Sequence, residues 1–297
     1  MARTEGEGVA DLHTHTTASD GTSTVAERIE QARVRGLEAV AVTDHDRIPD
    51  ELDERSRTVE GVELITGVEV KAEIHDTKVE ILGYYVDPNA EGLKEVLRRV
   101  RGYREERNRK VTERFVEVTG VETSYGEMCE RAEGGLGRPH FARLLIEEGL
   151  VDTVSEAFEE YLGEDGDVYL PSEKVGYGSV VRAIHEAGGV ASLAHPGRID
   201  VGNDADEGGV PAMVEEMAQN GLDGIEVRYP YGDISSGRGS DVGTREALEL
   251  AEEHELLRTG GSDCHGEGSE KFRIGDVRVP AEDLRQLRSA SETGRKR

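Results

Sequence analysis

Val9-Ala10-Asp11-Leu12-His13-Thr14-His15 is a short apolar run that ends in two histidines spaced two apart. In an extended chain alternate side chains project to the same side, so His13 and His15 point into one space and could hold one metal ion. Asp20, followed by Gly21, lies five residues beyond His15 and adds a carboxylate within loop reach. A lone His-x-His pair is a weak signal, but the rest of the chain repeats the arrangement. Four further runs end abruptly in ligand-type residues: 37–42 before Thr43-Asp44-His45-Asp46, 62–65 before Gly67-Val68-Glu69, 189–193 before Ala194-His195-Pro196-Gly197, and 256–259 before Gly261-Ser262-Asp263-Cys264-His265. Sheets and barrels built from β-α units place their active sites at the carboxyl ends of strands. Five such ends in one register point to a single site.

The intervening segments agree. Ser23-Thr24 followed by Glu27 reads as a capped helix start running to about Arg35 and stopping at Gly36. Residues 50–56 read as a charged helix, 62–70 as a strand, and 70–74 with 79–86 as a hairpin turning at His75-Asp76-Thr77. Beyond Asn89 the apolar residues Leu93, Val96, Leu97, Val100 and Tyr103 recur at helical spacing to about Leu162, with no strand among them. Alternation resumes with a helix at 179–187, a strand at 190–194, a helix at 209–219, strands at 223–228, 256–260 and 274–279, and a helix at 242–254. The predicted division is therefore residues 1–88, a helical insertion at 89–170, a second α/β part at 171–285 and a polar tail at 286–297.

The set His13-x-His15, Asp20-Gly21, Thr43-Asp44-His45, Gly67-Val68-Glu69, His195-Pro196-Gly197 and Ser262-Asp263-x-His265 resembles the PHP (polymerase and histidinol phosphatase) superfamily of metal-dependent phosphoesterases. Order and spacing match from about Asp11 to Pro280. Gly137-Arg138-Pro139-His140-Phe141-Ala142-Arg143 and Ala194-His195-Pro196-Gly197-Arg198 are similar to the branch that hydrolyses nucleoside 3′,5′-bisphosphates and trims RNA from the 5′ end, often called RNase AM. The resemblance implies a distorted (β/α)7 PHP-type barrel, an α/β fold, carrying a mostly helical insertion. It also implies three divalent ions (Mn, Zn or Fe), with His13, His15, Glu69 and Asp263 around the first, Glu69, Glu80 and His195 around the second, and Asp20, His45 and His265 around the third. Asp263, His265, His195 and Glu69 would then carry the catalysis. The family usually has a metal-binding His where this chain has Glu80. An oxygen ligand there shifts preference toward harder ions such as Mn²⁺, while His75, the other candidate, falls at a hairpin tip.

Clustered ions supply what phosphate ester hydrolysis needs, a hydroxide at neutral pH and neutralised phosphate oxygens, so no Ser or Cys nucleophile is required. Asp44 reads as a group orienting the His45 imidazole. Arg138 and His140 stand after Gly134-Gly135-Leu136-Gly137 at a helix start, where a guanidinium and free amides can grip a phosphate, and Arg198 is a second clamp. Arg228, ending a strand with Glu226, could help. The Arg-rich run from Arg98 to Lys110 is interleaved with Glu105 and Glu106 and reads as a solvated face, and His185 reads as a surface or packing residue. The function expected is a phosphoesterase acting on 3′,5′-bisphosphonucleotides or the 5′ ends of short RNA. Histidinol-phosphate or another small-molecule phosphatase of the superfamily is the alternative, and a non-catalytic metal-bearing module is the rival of a different class.

Composition narrows the partners. Lys+Arg number 36 against 63 Asp+Glu, a net charge of −27, and only 7 of the 36 basic residues are Lys. That balance opposes a duplex nucleic-acid-binding surface, so phosphate recognition must be local. A Lys-poor acidic surface fits a high-salt interior, where the Debye length shrinks to about 3 Å at 1 M. The two cysteines, Cys129 and Cys264, are too few for a disulfide framework, no stretch is apolar enough to span a bilayer, and the expected location is the cytoplasm.

Overall fold

The computed structural model describes residues 8–132, 135–163, 165–171, 173–201, 208–231, 240, 242–266 and 272–293. Its strands are β1 (Ala10–Asp11), β2 (Ala39–Val42), β3 (Ser56–Val59), β4 (Val62–Ile74), β5 (Thr77–Tyr84), β6 (Val190–Leu193), β7 (Gly224–Arg228) and β8 (Leu257–Gly260). Its α-helices are α1 (Val25–Val34), α2 (Glu91–Thr119), α3 (Tyr125–Arg131), α4 (Arg138–Glu147), α5 (Val154–Ala157), α6 (Tyr177–Glu186), α7 (Gly209–Gln219), α8 (Thr244–Glu253) and α9 (Ala281–Thr293). The chain forms two compact units, residues 1–98 with 175–297, and residues 99–174.

The first unit is the α/β barrel. Its sheet runs β1-β2-β4-β5-β6-β7-β8, with β3 paired to β4 off that path. The Leu12 amide donates to the Gly260 carbonyl at 3.1 Å and the His15 amide to the Cys264 carbonyl at 3.0 Å, which joins the end of β8 to β1 and closes the ring. A Cβ on Gly261 would strike the His13 backbone, so glycine is what lets the two strand ends meet. The pairings β1–β2, β2–β4, β6–β7 and β7–β8 are parallel, whereas β5 runs antiparallel to both β4 and β6. Along that path β5 alone is reversed, and this is the distortion of the barrel. Helix α1 starts at the N-cap Thr24, whose hydroxyl accepts from the Glu27 amide while the Glu27 carboxylate returns to the Thr24 amide. It stops at Gly36, whose φ of 70° lies in the left-handed region.

The second unit holds most of α2 with α3, α4 and α5. Its core is apolar, built on Val111, Phe115, Met128, Phe141, Leu144, Leu145 and Leu162, with Phe115 and Phe141 ring to ring at 5.4 Å.

Three expectations from sequence are corrected. Residues 50–55 form turns and bends, not a helix, and lead into β3, because backbone bonds to β4 satisfy residues 56–59 better than a helix with Leu52 as its one buried apolar side chain. Residues 274–279 form no strand: only Val279 bridges to Ala10, and Gly275 at φ 76° turns the chain before it. The segment from 286 is not simply a polar tail, since α9 runs to Thr293 with Leu284, Leu287, Ala290 and Ser291 buried, an apolar stripe diluted by its charged neighbours.

Candidate metal centre

Every sequence-chosen ligand arrives at one rim of the barrel. His13 and His15 follow β1, His45 follows β2, His195 follows β6, and Asp263 and His265 follow β8. Glu69 lies within the long strand β4, and Glu80 lies early in β5, where the reversed direction of β5 brings its first half to the rim at which the parallel strands finish.

Glu69 is the hub. Its carboxylate lies 3.3 Å from His13 Nε2, 3.6 Å from His15 Nε2, 2.8 Å from His45 Nδ1 and 3.0 Å from His195 Nε2. Asp263 Oδ1 lies 3.1 Å from His15 Nε2, 3.5 Å from His13 Nε2 and 3.6 Å from His265 Nδ1. Asp20 reaches His265 Nε2 at 3.3 Å and His45 Nε2 at 3.6 Å, while Glu80 reaches His195 Nε2 at 3.2 Å and His45 Nδ1 at 3.7 Å. Among the described residues, three groups of donor atoms each converge within 4.8 Å: His15, Asp20, His45 and His265; His13, His15 and Asp263; and His45, Glu69 and Glu80.

The electrostatics follow from crowding. Burial disfavours charge on His13, but Glu226, Glu69 and Asp263 outweigh it and hold the imidazole well above its ordinary pKa. Burial also opposes charge on His45 and His195, yet Glu69 raises His45 to about 9, and Glu69 with Glu80 raises His195 to about 10. His15 goes the other way, lowered by burial and by the neighbouring His45. Burial would raise Glu69 and Asp263, but the surrounding imidazoles keep both carboxyls well below the usual range. Among the described residues, His13 Nε2, both ring nitrogens of His15, His45 Nδ1, His195 Nδ1 and Glu69 Oε2 are buried without a hydrogen-bond partner. Buried polar atoms ordinarily find partners. A mixed set of imidazole and carboxylate donors left this way fits divalent cations.

The chain matches the model of the PHP domain over residues 11–187. It is 31% identical to a 5′-3′ exoribonuclease of Haemophilus influenzae over 258 residues, 86% of this chain and 89% of that protein. It is 32% identical to a 3′,5′-nucleoside bisphosphate phosphatase of Chromobacterium violaceum, covering 87% of each. A solved structure from Bifidobacterium adolescentis, provisionally described as a metal-dependent phosphoesterase, superposes with a TM-score of 0.71 at 28% identity over 94% of both chains. This chain belongs to the PHP family. It is a hydrolase of phosphate esters.

The PHP site is held by residues that the sequence reading weighed differently. Glu226 is fully buried; its Oε1 lies 3.0 Å from His13 Nδ1 and its Oε2 accepts the His195 amide at 2.8 Å, so one carboxylate fixes two strand-end histidines. Its signal was an acid inside the apolar run Gly224-Ile225-Glu226-Val227, a costly place for a charge with no task. Asp11 gives the same signal: it accepts from the Ser262 amide and hydroxyl and from the Gly275 amide. Arg28 on α1, fully buried, donates to the carbonyls of His15 at 2.8 Å and Cys264 at 3.1 Å and to Cys264 Sγ, tying two ligand loops together. His195 (φ 25°) and Asp263 (φ 53°) both sit in the left-handed region, strain of the kind that clusters at functional sites.

Two expectations are corrected here. Asp44 does not orient an imidazole; it accepts from the Thr16 amide, the Thr16 hydroxyl and the Ser19 hydroxyl, and so folds the loop between His15 and Asp20. Arg228 does not turn to the rim but pairs with Asp283 of α9 at 2.7 Å, because a bulge between Glu226 and Arg228 breaks the strand's alternation. Arg198 does lie beside the cluster, its Nη1 donating to the Tyr229 hydroxyl at 2.5 Å and 3.8 Å from Asp263 Oδ2. Arg138 and His140 belong to the second unit. There Arg138 donates to the Leu162 carbonyl and lies over the Phe158 ring, and His140 Nδ1 accepts the Gly137 amide as a cap on α4. His75, at the hairpin tip, meets Glu216 at 2.7 Å.

Proposed function

We propose that this phosphoesterase acts on phosphorylated nucleotides, either releasing phosphate from 3′,5′-bisphosphonucleotides or trimming the 5′ ends of short RNA. The observation that carries the reading is the cluster of His, Asp and Glu donors at one barrel rim, with buried imidazole nitrogens left for a cation. The similarity to the Haemophilus exoribonuclease and the Chromobacterium bisphosphate phosphatase supports the substrate class.

The ligand reading keeps three ions: one at His13, His15, Glu69 and Asp263, one at Glu69, Glu80 and His195, and one at Asp20, His45 and His265. Manganese is favoured over zinc or iron by the oxygen donor of Glu80. Bound there, such ions would lower the pKa of water and neutralise the phosphate oxygens. The chain's own contribution is orientation. Glu226 takes the Nδ1 side of His13 and so presents Nε2 to the cluster. Asp263, His265, His195 and Glu69 carry the catalysis through their hold on the ions. Arg198 offers a guanidinium to the substrate, and the insertion 89–170 supplies Arg138 and His140 for a second phosphate. We also read the net charge of −27 as adaptation to a high-salt cytoplasm, and thermal midpoints in KCl should rise toward molar salt.

The deciding experiment gives the metal-reconstituted enzyme a 3′,5′-bisphosphonucleotide, a short 5′-phosphorylated RNA and histidinol phosphate, with phosphate and nucleotide products measured separately. Turnover of the first two supports the reading. Turnover of histidinol phosphate alone overturns it.

A further inference from the structure

Tyr229 took no part in the reading from sequence, yet it touches both kinds of residue on which the reaction depends. It follows the bulge that ends β7, and the shifted alternation turns Tyr229, not Arg228, toward the cluster. Its side chain is buried, with its ring edge-on to His195 at 5.4 Å and beside Tyr231 at 5.2 Å. The hydroxyl donates to Asp263 Oδ2 at 2.9 Å and accepts from Arg198 Nη1 at 2.5 Å.

The two oxygens of Asp263 are thereby divided. Oδ1 faces His13, His15 and His265, while Oδ2 is held by the phenol. Arg198 Nη1 stands 3.8 Å from Oδ2, about 1 Å beyond the usual length of a charge-assisted N–H···O bond. A guanidinium and a carboxylate so close would ordinarily pair directly. The phenol between them satisfies both without letting them meet.

We propose that Tyr229 is a positioning residue that keeps Arg198 from closing on Asp263, leaving the carboxylate free for a metal ion and the guanidinium free for substrate phosphate. The inference rests on the reading that Asp263 is a metal ligand and Arg198 faces phosphate. Tyr229→Phe keeps the ring and removes the spacer, so Arg198 closes on Oδ2 and, by pairing with that oxygen, lowers the charge that Oδ1 offers a cation.

The test is a Mn²⁺ titration, by calorimetry, of chelator-stripped wild type, Tyr229→Phe, Arg198→Ala, the double variant and Asp263→Ala, with thermal melts to establish folding. Tyr229→Phe should weaken Mn²⁺ binding ten- to a hundredfold, the range seen when the partner of a ligand is removed. Arg198→Ala should tighten binding several-fold more in the Tyr229→Phe background than in wild type, since only there is the guanidinium paired with the carboxylate. A lost hydrogen bond or a packing defect would not be rescued by deleting an arginine. Wild-type affinity in Tyr229→Phe, or an equal effect of Arg198→Ala in both backgrounds, overturns the proposal. Unchanged Mn²⁺ binding in Asp263→Ala would instead bring down the ligand reading beneath it.

Discussion

The barrel unit and the helical unit treat charge in opposite ways. The barrel buries Asp11, His13, His15, Arg28, Asp44, Glu69 and Glu226 almost completely. In the helical unit the buried polar side chains among the described residues are Asn108 and Thr112, and ion pairs such as Lys110–Glu106 and Arg131–Glu147 stay at the surface. The helical unit has charged side chains in plenty, Arg104, Glu105, Glu106 and Arg109 among them, so the contrast is not a shortage of charge. Burying ionisable groups is costly, and hydrophobic packing alone would fold either unit more economically. The cost is concentrated where ligands must be held at fixed positions.

The sharpest way to break the contrast is at a shared carboxylate. Asp263→Ala should lower phosphoesterase activity by well over the hundredfold typical of losing a ligand's partner, and should reduce bound metal, while a cooperative melt persists. Assays of activity, metal content and unfolding on one preparation check all three, and retained activity in the metal-depleted variant would sink the metal mechanism. The converse cut lies in the helical unit: Phe115→Ala removes a ring packed on Phe141 and should cost about 3–5 kcal/mol in denaturant unfolding, with Mn²⁺ stoichiometry of the folded protein unchanged. Loss of metal in that variant would mean that the two units are not energetically separate.

A smaller effect asks whether the helical unit serves the reaction at all. Arg138→Ala should cost about ten- to a hundredfold in kcat/KM for a 3′,5′-bisphosphonucleotide, the worth of a charge-assisted phosphate contact, and leave p-nitrophenyl phosphate nearly untouched. Equal losses on both substrates would make Arg138 structural, through its bond to the Leu162 carbonyl. The smallest effect belongs to His185 in the barrel unit, whose bond to Asp223 at 2.7 Å raises its pKa. Because the folded value lies above the unfolded one near 6.5, the pair's stabilisation is complete below that pH and fades as pH rises through the folded value. His185→Gln should therefore lower stability by less than about 1 kcal/mol at pH 6, with the deficit shrinking as pH rises through the folded value. A deficit that grows with pH would reverse the assignment.

Strand ends were easy to read because an apolar run stopping at a charge is a local signal: 39–42 before His45 and 190–193 before His195 needed no knowledge of neighbours. What lay across the sheet was not legible in the same way. The bulge that turns Arg228 outward and Tyr229 inward depends on how β7 registers with β8, which no local pattern in 224–231 encodes. Adjacency to His45 in sequence points Asp44 at an imidazole and says nothing of Thr16 and Ser19, which lie opposite and take its carboxylate. Helix α9 hid its stripe among Glu282, Asp283, Arg285 and Arg288. The hairpin implies a reversed β5, whereas Glu80 is singled out by the family resemblance alone, and its reach to the rim is seen only in the pairing of β5 with β4 and β6.

Arg28 sets a limit on how this sequence can drift. Its guanidinium serves acceptors on two loops that are distant in the chain, the His15 carbonyl and both the carbonyl and sulfur of Cys264. Lysine keeps the charge but has one compact head in place of a planar fork, and it cannot span the same acceptors. A neutral side chain without donors would leave the buried His15 carbonyl unanswered and the Cys264 carbonyl with the His15 amide alone. Exchanges that are tolerated among the many surface arginines are closed to this one. A library of substitutions at position 28, scored for metal retention, should return arginine almost alone.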